Sequence, residues 1–258
     1  MPEPGPIQVD PSPAGAAAPD LQGPVEVTPV QRVRAVLEVM ACSGIPSQFA
    51  IATVLRFVGI SALDAKGNLA ASFVFTLSLL DTAVIAAVAV LLLRLGGEQP
   101  RDVFVGRRAI GRETAIGLAL VPVVFVLVLA MLSGLRALTP WLHNVTENPL
   151  EALLSSPGQV ALFAVVGIVA GGLREEVQRA FVLHRFEQYL GGPLVGLAIV
   201  SVAFGAGHIV QGWDAMVTTG ALGAFWGALY LARHSAVAPV VSHAGFNTIE
   251  ILRVFMTR

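Results

Sequence analysis

Long apolar stretches, separated by short segments rich in charge, glycine and proline, make up most of the chain. A helix that crosses the hydrocarbon core of a bilayer needs about 20 mostly apolar residues, and roughly seven stretches meet that requirement. They cover approximately residues 45–63, 69–93, 114–136, 159–190, 193–211, 214–232 and 236–256. The pattern therefore predicts an all-α fold, a polytopic membrane helix bundle of about seven transmembrane helices.

The N-terminal end departs from this pattern. Residues 1–30 hold half of the chain's 16 prolines and little to bury, so we predict a disordered tail there and a membrane domain over 31–258. Residues 33–42 could form an interfacial helix or the lower part of the first span, with a break near Pro46.

Composition supports a membrane protein. Apolar residues make up 55% of the chain and charged residues 13%, whereas soluble domains carry about 25% charged residues. The single cysteine, Cys42, excludes a disulfide within the chain. We expect the chain to contact the lipid bilayer, and we expect no nucleic-acid partner.

Arginines are distributed unevenly between the predicted loops. The densest basic cluster lies between the second and third predicted spans and comprises Arg94, Arg101, Arg107, Arg108 and Arg112. The opposite loop, residues 137–158, has no arginine. Because basic loops stay in the cytoplasm, we predict a multi-pass protein of the cell membrane, for instance a bacterial inner membrane, with a cytoplasmic N-terminus.

Residues 174–186 place several ionisable side chains directly after an apolar run. A charged side chain near the bilayer centre costs about 3 kcal/mol, so we expect the adjacent carboxylates Glu175 and Glu176 to serve chemistry, transport or a specific pairing. The later part of the run, Arg179 to Arg185, is expected to be the cytoplasmic end of a long helix. An ion pair between Arg56 and Asp81 is a further prediction.

Three pairs of side chains share a helix face because each pair is four residues apart. The pairs are Glu175 with Arg179, Phe204 with His208, and His243 with Asn247. If the segment Gly191-Gly192 is a turn between antiparallel helices, Glu175 and His208 both lie about 24 Å from it. We therefore expect a carboxylate and an imidazole at the same depth, with Glu176 facing a different neighbour.

Such a set of groups can hydrolyse an amide bond. In a cavity of low dielectric constant, Glu175 can act as general base toward a water molecule that His208 shares. His243 and Asn247 can donate hydrogen bonds to a developing oxyanion. As an alternative, Glu175, His208 and His243 can bind a divalent metal such as Zn²⁺ that activates the water, although the sequence lacks His-Glu-x-x-His.

The order Glu-Glu-x-x-Arg, Phe-x-x-x-His and His-x-x-x-Asn resembles the CPBP (Abi) family of intramembrane proteases, which includes the CAAX prenyl endopeptidases. The resemblance covers about residues 170–250, within a core that we place at about 159–256. It implies a helical, membrane-embedded endopeptidase with a glutamate-activated water.

Carried onto this chain, the resemblance implies a role for each motif residue. Glu175 would be the base, assisted by His208, and Phe204 would be a supporting residue. His243 and Asn247 would stabilise the oxyanion, as the chemistry above also predicts. Glu176 and Arg179 would hold the interface between helices together.

The first motif departs from the family pattern. The usual spacing is Glu-Glu-x-x-x-Arg, whereas here the arginine comes one residue early, and Ala180 takes its place. A shift of one residue rotates the guanidinium by about 100° around the helix. The spacing also offers Arg179 an ion pair with Glu175, which would weaken that glutamate as a base.

Two classes of function follow from these residues. The first is an intramembrane endopeptidase that cuts a membrane-associated or lipidated protein near the cytoplasmic side. The second is a proton- or cation-coupled membrane carrier that uses the same glutamates and histidines. The sequence leaves the oligomeric state open.

Overall fold

A computed structural model describes residues 1, 27–146 and 148–257. These residues fold into helices joined by short loops, and the β-structure among them is one isolated bridge between Leu63 and Leu69. The predicted all-α class is confirmed. The predicted disordered tail lies mostly outside the described residues, and the first helix begins at Pro29.

Ten α-helices are assigned in the described part of the chain. They are α1 (Pro29–Ala41), α2 (Ile45–Phe57), α3 (Ala71–Leu95), α4 (Pro100–Phe104), α5 (Ile110–Leu138), α6 (Pro157–Val166), α7 (Glu175–Tyr189), α8 (Pro193–Ala206), α9 (Trp213–Arg233) and α10 (Val237–Met256). A π-helical segment, Gly167–Arg174, joins α6 to α7.

Four of the described helical stretches are long and apolar enough to cross a membrane, namely Pro29–Phe57, α3, α5 and α9. The other predicted spans are also helical. Charged side chains interrupt the α6–α7 stretch and α10, and α8 has only 14 residues. The structure is thus a membrane helix bundle in which the later helices are shorter or carry more charge.

The predicted break near Pro46 lies between α1 and α2. Gly44 precedes α2 with a φ of 82°, a left-handed conformation that glycine adopts without steric cost. A Cβ atom at this position would also meet the guanidinium of Arg174. Backbone conformation and close packing therefore both favour glycine at this turn.

The polar residue Asp81 of α3 pairs with a partner other than the predicted Arg56, which is exposed. Its carboxylate lies 2.6 Å from Nη2 of Arg174. It also accepts hydrogen bonds from Ser47 Oγ at 2.5 Å and Gln48 Nε2 at 3.2 Å. The sequence-based pairing is wrong because the π-helical segment, rather than the end of α2, presents its arginine to Asp81.

The loops gather at two ends of the bundle. The arginine-rich end is formed by residues 96–109, 190–192 and 234–236, and the opposite end by residues 58–70, 139–146, 148–156 and 207–212. At the arginine-rich end, the backbone N–H of Ala236 donates to the carbonyl of Phe104 at 2.9 Å. At the opposite end, the N–H of Trp213 donates to Asn144 Oδ1 at 2.9 Å.

Arg185 of α7 joins three elements at the arginine-rich end. Its side chain is buried, and Nε lies 2.5 Å from Glu38 Oε2 of α1. Nη1 donates to Glu98, which follows α3 and also contacts His184 and accepts from Gln188 at 3.0 Å. Arg185 lies near the end of this long helix, as predicted, but α1 and the loop after α3 cover it there.

The Glu98 carboxylate gives this junction a pH dependence. Burial raises the pKa of Glu98, but the hydrogen bonds from His184, Arg185 and Gln188 outweigh burial, so its pKa lies below the ordinary value. The network therefore stabilises the fold fully above the unfolded-state pKa, about 4.3 for glutamate, and loses that contribution as the pH falls through the folded-state pKa.

We expect Glu98→Gln to lower the free energy of unfolding by about 1–3 kcal/mol near neutral pH, because buried Arg185 loses a charged partner. Thermal unfolding in detergent should show this difference shrinking as the pH falls below about 4. Glu187→Gln, at an exposed position on α7, is the control. A difference for Glu98→Gln that stays constant with pH would contradict this account.

Candidate active site

A cavity of about 450 Å³ lies among α5, the π-helical segment and α7 to α10. The side chains that line it include Glu175, His208, His243 and Asn247. These four residues come from the start of α7, the turn after α8, and α10. The fold therefore brings the four residues predicted to be catalytic to one cavity.

His243 lies between the two adjacent glutamates. Its Nδ1 is 2.8 Å from Oε1 of Glu176, and its Nε2 is 3.8 Å from Oε2 of Glu175. The two carboxylates thus face one imidazole, in contrast to the sequence-based expectation that Glu176 faces a different neighbour. Glu176 is 1% exposed, whereas the side chain of Glu175 is 22% exposed and lines the cavity.

Arg179 pairs with Glu176, three residues before it, and not with Glu175 as the i, i+4 spacing offered. Both side chains are buried, and the guanidinium lies over the ring of Phe204 at 4.6 Å from its centroid. Trp226 lies on another side at 5.9 Å. The early arginine therefore neutralises the buried carboxylate, and among the described residues no guanidinium pairs with Glu175.

Trp226 of α9 holds the ring of His243, and sequence reasoning missed it. The two rings stack with centroids 3.7 Å apart and an interplanar angle of 14°. The indole Nε1 donates to Ser242 Oγ at 2.7 Å, which fixes the plane of the indole. The signal in the sequence was a tryptophan in the middle of a predicted span, away from the interfaces where tryptophan is enriched.

His208 lies just beyond the C-terminal end of α8. Its Nδ1 is 2.9 Å from the carbonyl oxygen of Phe204, and its ring packs edge-on against the Phe204 ring at 4.9 Å. Within the described part of the chain, Nε2 has no hydrogen-bond partner. Glu175 and His208 line the same cavity, but the imidazole closest to Glu175 is His243.

Asn247 is placed by the π-helical segment. Its Nδ2 donates to the carbonyl of Gly167 at 3.2 Å. Gly171 faces the same amide, and a Cβ atom at Gly172 would lie 2.6 Å from Cβ of Ala244. The small residues let α10 approach the segment closely, while one amide N–H and the oxygen of Asn247 remain for other partners.

The opening of the cavity carries charged residues that sequence reasoning had not assigned to the site. Asp214 at the start of α9 is buried and lies 2.8 Å from Nδ1 of His143 and 3.5 Å from Nε of Arg136. Glu250 and Arg253 of α10 form a bidentate pair at the other side of the opening. His143 and Asp214 are distant in sequence, so only the fold could show that they belong together.

The donor set fits a metal ion poorly. Among residues 27–146 and 148–257, no three His, Cys, Asp or Glu side chains are arranged to hold a metal. Nδ1 of His243 faces Glu176, and His208 lies in the turn after α8 with its Nδ1 against a backbone carbonyl. The hypothesis of a metal held by Glu175, His208 and His243 therefore has no formed ligand group in this arrangement.

The fold and the site together define a membrane helix bundle with a carboxylate–imidazole cavity among its later helices. Residues 156–249 match the family model described as Rce1-like, type II CAAX prenyl endopeptidase Rce1-like. This match supports the resemblance to the CPBP (CAAX protease) family that the three motifs predicted. No curated protein and no solved structure matches the chain.

The buried ion pair at the base of the cavity gives a prediction about stability. Arg179→Met leaves the Glu176 carboxylate buried with His243 alone, and we expect a loss of about 3–5 kcal/mol in the free energy of unfolding. Arg253→Met, in an exposed pair, should cost at most about 1 kcal/mol. Thermal unfolding of the purified variants in detergent measures both.

A double variant separates charge from packing. Because Glu176→Gln removes the charge that Arg179→Met leaves unpaired, the double variant should be more stable than Arg179→Met alone. A double variant that is no more stable than Arg179→Met would show that loss of packing, and not an unpaired charge, causes the destabilisation.

Proposed function

We propose that the chain is an intramembrane endopeptidase that hydrolyses a peptide bond of a membrane-associated or lipidated protein. The observation that supports this most is the position of Glu175, which faces His243 in a cavity shared with His208 and Asn247. All four residues lie inside the segment that matches the endopeptidase family.

In this proposal Glu175 is the general base. A water molecule placed beside the 3.8 Å line between Glu175 Oε2 and His243 Nε2 can hydrogen-bond to both atoms. Its oxygen attacks the carbonyl carbon of the scissile bond while its proton passes to Glu175. His208 reaches the cavity from the turn after α8 with an Nε2 that has no partner among the described residues, and it assists by holding the same water.

The attack produces an oxyanion that needs hydrogen-bond donors. One donor is the amide N–H of Asn247 that no described residue accepts, since the other N–H donates to the carbonyl of Gly167. His243 is the second, for which Nε2 must carry a proton during the step. As the intermediate collapses, the C–N bond breaks and the proton held by Glu175 passes to the leaving amine.

Glu176 and Arg179 act on the reaction through His243. The carboxylate of Glu176 faces Nδ1, so Nε2 points toward Glu175 and the cavity. Arg179 neutralises Glu176 and keeps it in place. Phe204 supports both sides of the site, because its ring lies under the guanidinium and its carbonyl contacts His208.

The activity of purified protein tests the proposed roles. Glu175→Ala and His208→Ala should each abolish peptide cleavage in detergent or liposomes while leaving expression and thermal stability largely intact. Glu187→Ala, an exposed position farther along α7, should cleave like the wild type. Full activity of both site variants would overturn the assignment.

The carrier hypothesis makes the opposite prediction for the same preparations. A carrier should move protons or cations across a sealed liposome in a Glu175-dependent manner and show no cleavage. Hydrolysis is favoured because the four side chains that line the cavity all lie within the segment that matches the endopeptidase family. Glu175-dependent flux without cleavage would favour the carrier.

The metal hypothesis stays a prediction with its own measurement. If Glu175 activates the water directly, cleavage should persist in excess chelator, and the purified protein should contain well below one equivalent of divalent metal. Stoichiometric metal that is lost in Glu175→Ala and His208→Ala, together with inhibition by chelator, would instead support metal-activated water.

A further inference from the structure

We propose that the cavity admits its substrate from the non-cytoplasmic face of the membrane, so that the substrate is a membrane-attached protein whose scissile segment lies on that face. The inference rests on the proposed endopeptidase function and specifies where its substrate must lie. It combines two independent features, the direction in which the cavity opens and the distribution of arginines between the two ends of the bundle.

The cavity opens at the end opposite to the arginine-rich one. Its lining beyond the catalytic residues comes from the segment after α5, the turn before α9 and the last turns of α10. The rim is accessible, since the side chains of Arg136 and Arg253 are 54% and 56% exposed. His143 on the same rim is 32% exposed.

The arginine-rich end is closed beneath the site. Ala180, Leu183 and Tyr230 form a buried cluster on that side of Arg179. The Tyr230 hydroxyl donates to the carbonyl of Val103 at 3.3 Å, so that α4 covers this end of α9. A peptide that approaches from the arginine-rich end meets packed side chains and no opening.

Basic residues distinguish the two ends. Near the closed end lie Arg94, Arg101, Arg107, Arg108, Arg112, Arg185 and Arg233. Near the open end, the described basic residues are Arg56, Lys66, Arg136 and Arg253. Because basic residues close to span ends are retained in the cytoplasm, the closed end is cytoplasmic and the open end faces the other side.

The sequence analysis expected cleavage near the cytoplasmic side of the membrane. An opening on the non-cytoplasmic face means that the scissile segment of the substrate lies on that face instead. The inner lining of the opening includes Val128, Leu132 and Phe163, while the rim is charged. An extended peptide whose apolar residues enter the bundle and whose polar flank stays at the rim matches this gradient. A segment next to a membrane anchor, on the non-cytoplasmic face, has that composition.

Cysteine labelling in intact cells tests the direction of access. Thr146→Cys places a thiol on the exposed rim, and Arg107→Cys places one on the exposed closed end. The native thiol of Cys42 is fully buried, so the wild-type protein serves as the unlabelled control. A membrane-impermeant maleimide should label Thr146→Cys in intact cells and Arg107→Cys only after permeabilisation.

The reverse labelling pattern, or equal labelling of both variants in intact cells, would overturn the proposal. The result does not depend on catalysis, so it remains decisive if the endopeptidase assignment fails. It therefore separates an error in orientation from an error in function.

Mapping of the new N-termini that cleavage produces is a second test of the direction of access. Membranes of cells with active protein should contain N-termini that are absent with Glu175→Ala, and these should fall in segments on the non-cytoplasmic face. Glu175-dependent cleavage in cytoplasmic segments would overturn the direction of access. A complete lack of Glu175-dependent N-termini would overturn the proposed hydrolase and the substrate assignment with it.

Discussion

The arrangement of the site depends on one buried carboxylate. Glu176 is almost wholly removed from solvent, and an unpaired charge in such a place would cost several kcal/mol. Arg179 from its own helix and His243 from α10 supply the partners that make its burial tolerable. The same contacts fix α10 relative to α7, so satisfying one carboxylate also orients the imidazole that faces the next.

Close backbone approach is the second requirement. The glycines of the π-helical segment allow α10 to contact α6 and α7. The same segment supplies the carbonyl of Gly167, which accepts a hydrogen bond from Asn247. Along α8 and α9, Gly205 and Gly223 serve the same purpose, since a Cβ atom at Gly205 would lie 2.6 Å from the Met216 carbonyl oxygen. Larger side chains at these positions would separate the helices that the site needs together.

Charge is divided between the site and its surroundings. The arginines of α7 pair with buried carboxylates, Arg179 with Glu176 and Arg185 with Glu38 and Glu98, so neither is a solvated surface charge. Glu175 alone of the glutamate pair lines the cavity. Adjacent side chains on a helix point about 100° apart around its axis, so the two carboxylates have different environments. Glu176 holds the helices together, whereas Glu175 is available for chemistry.

The helical class, the break before α2 and the resemblance of the later helices to an endopeptidase family could all be predicted from the sequence, because apolar runs and motif order are read directly along the chain. Helical spacing and motif order also identified four side chains that line the cavity, namely Glu175, His208, His243 and Asn247. The contacts between these groups could not be predicted in this way, because they depend on how the helices pack in three dimensions. The rotation of each helix about its axis follows from the simultaneous packing of several neighbours, and spacing along one helix does not contain that information. For this reason Arg179 pairs with Glu176 rather than Glu175, Asp81 pairs with Arg174 rather than Arg56, and Trp226 stacks on His243.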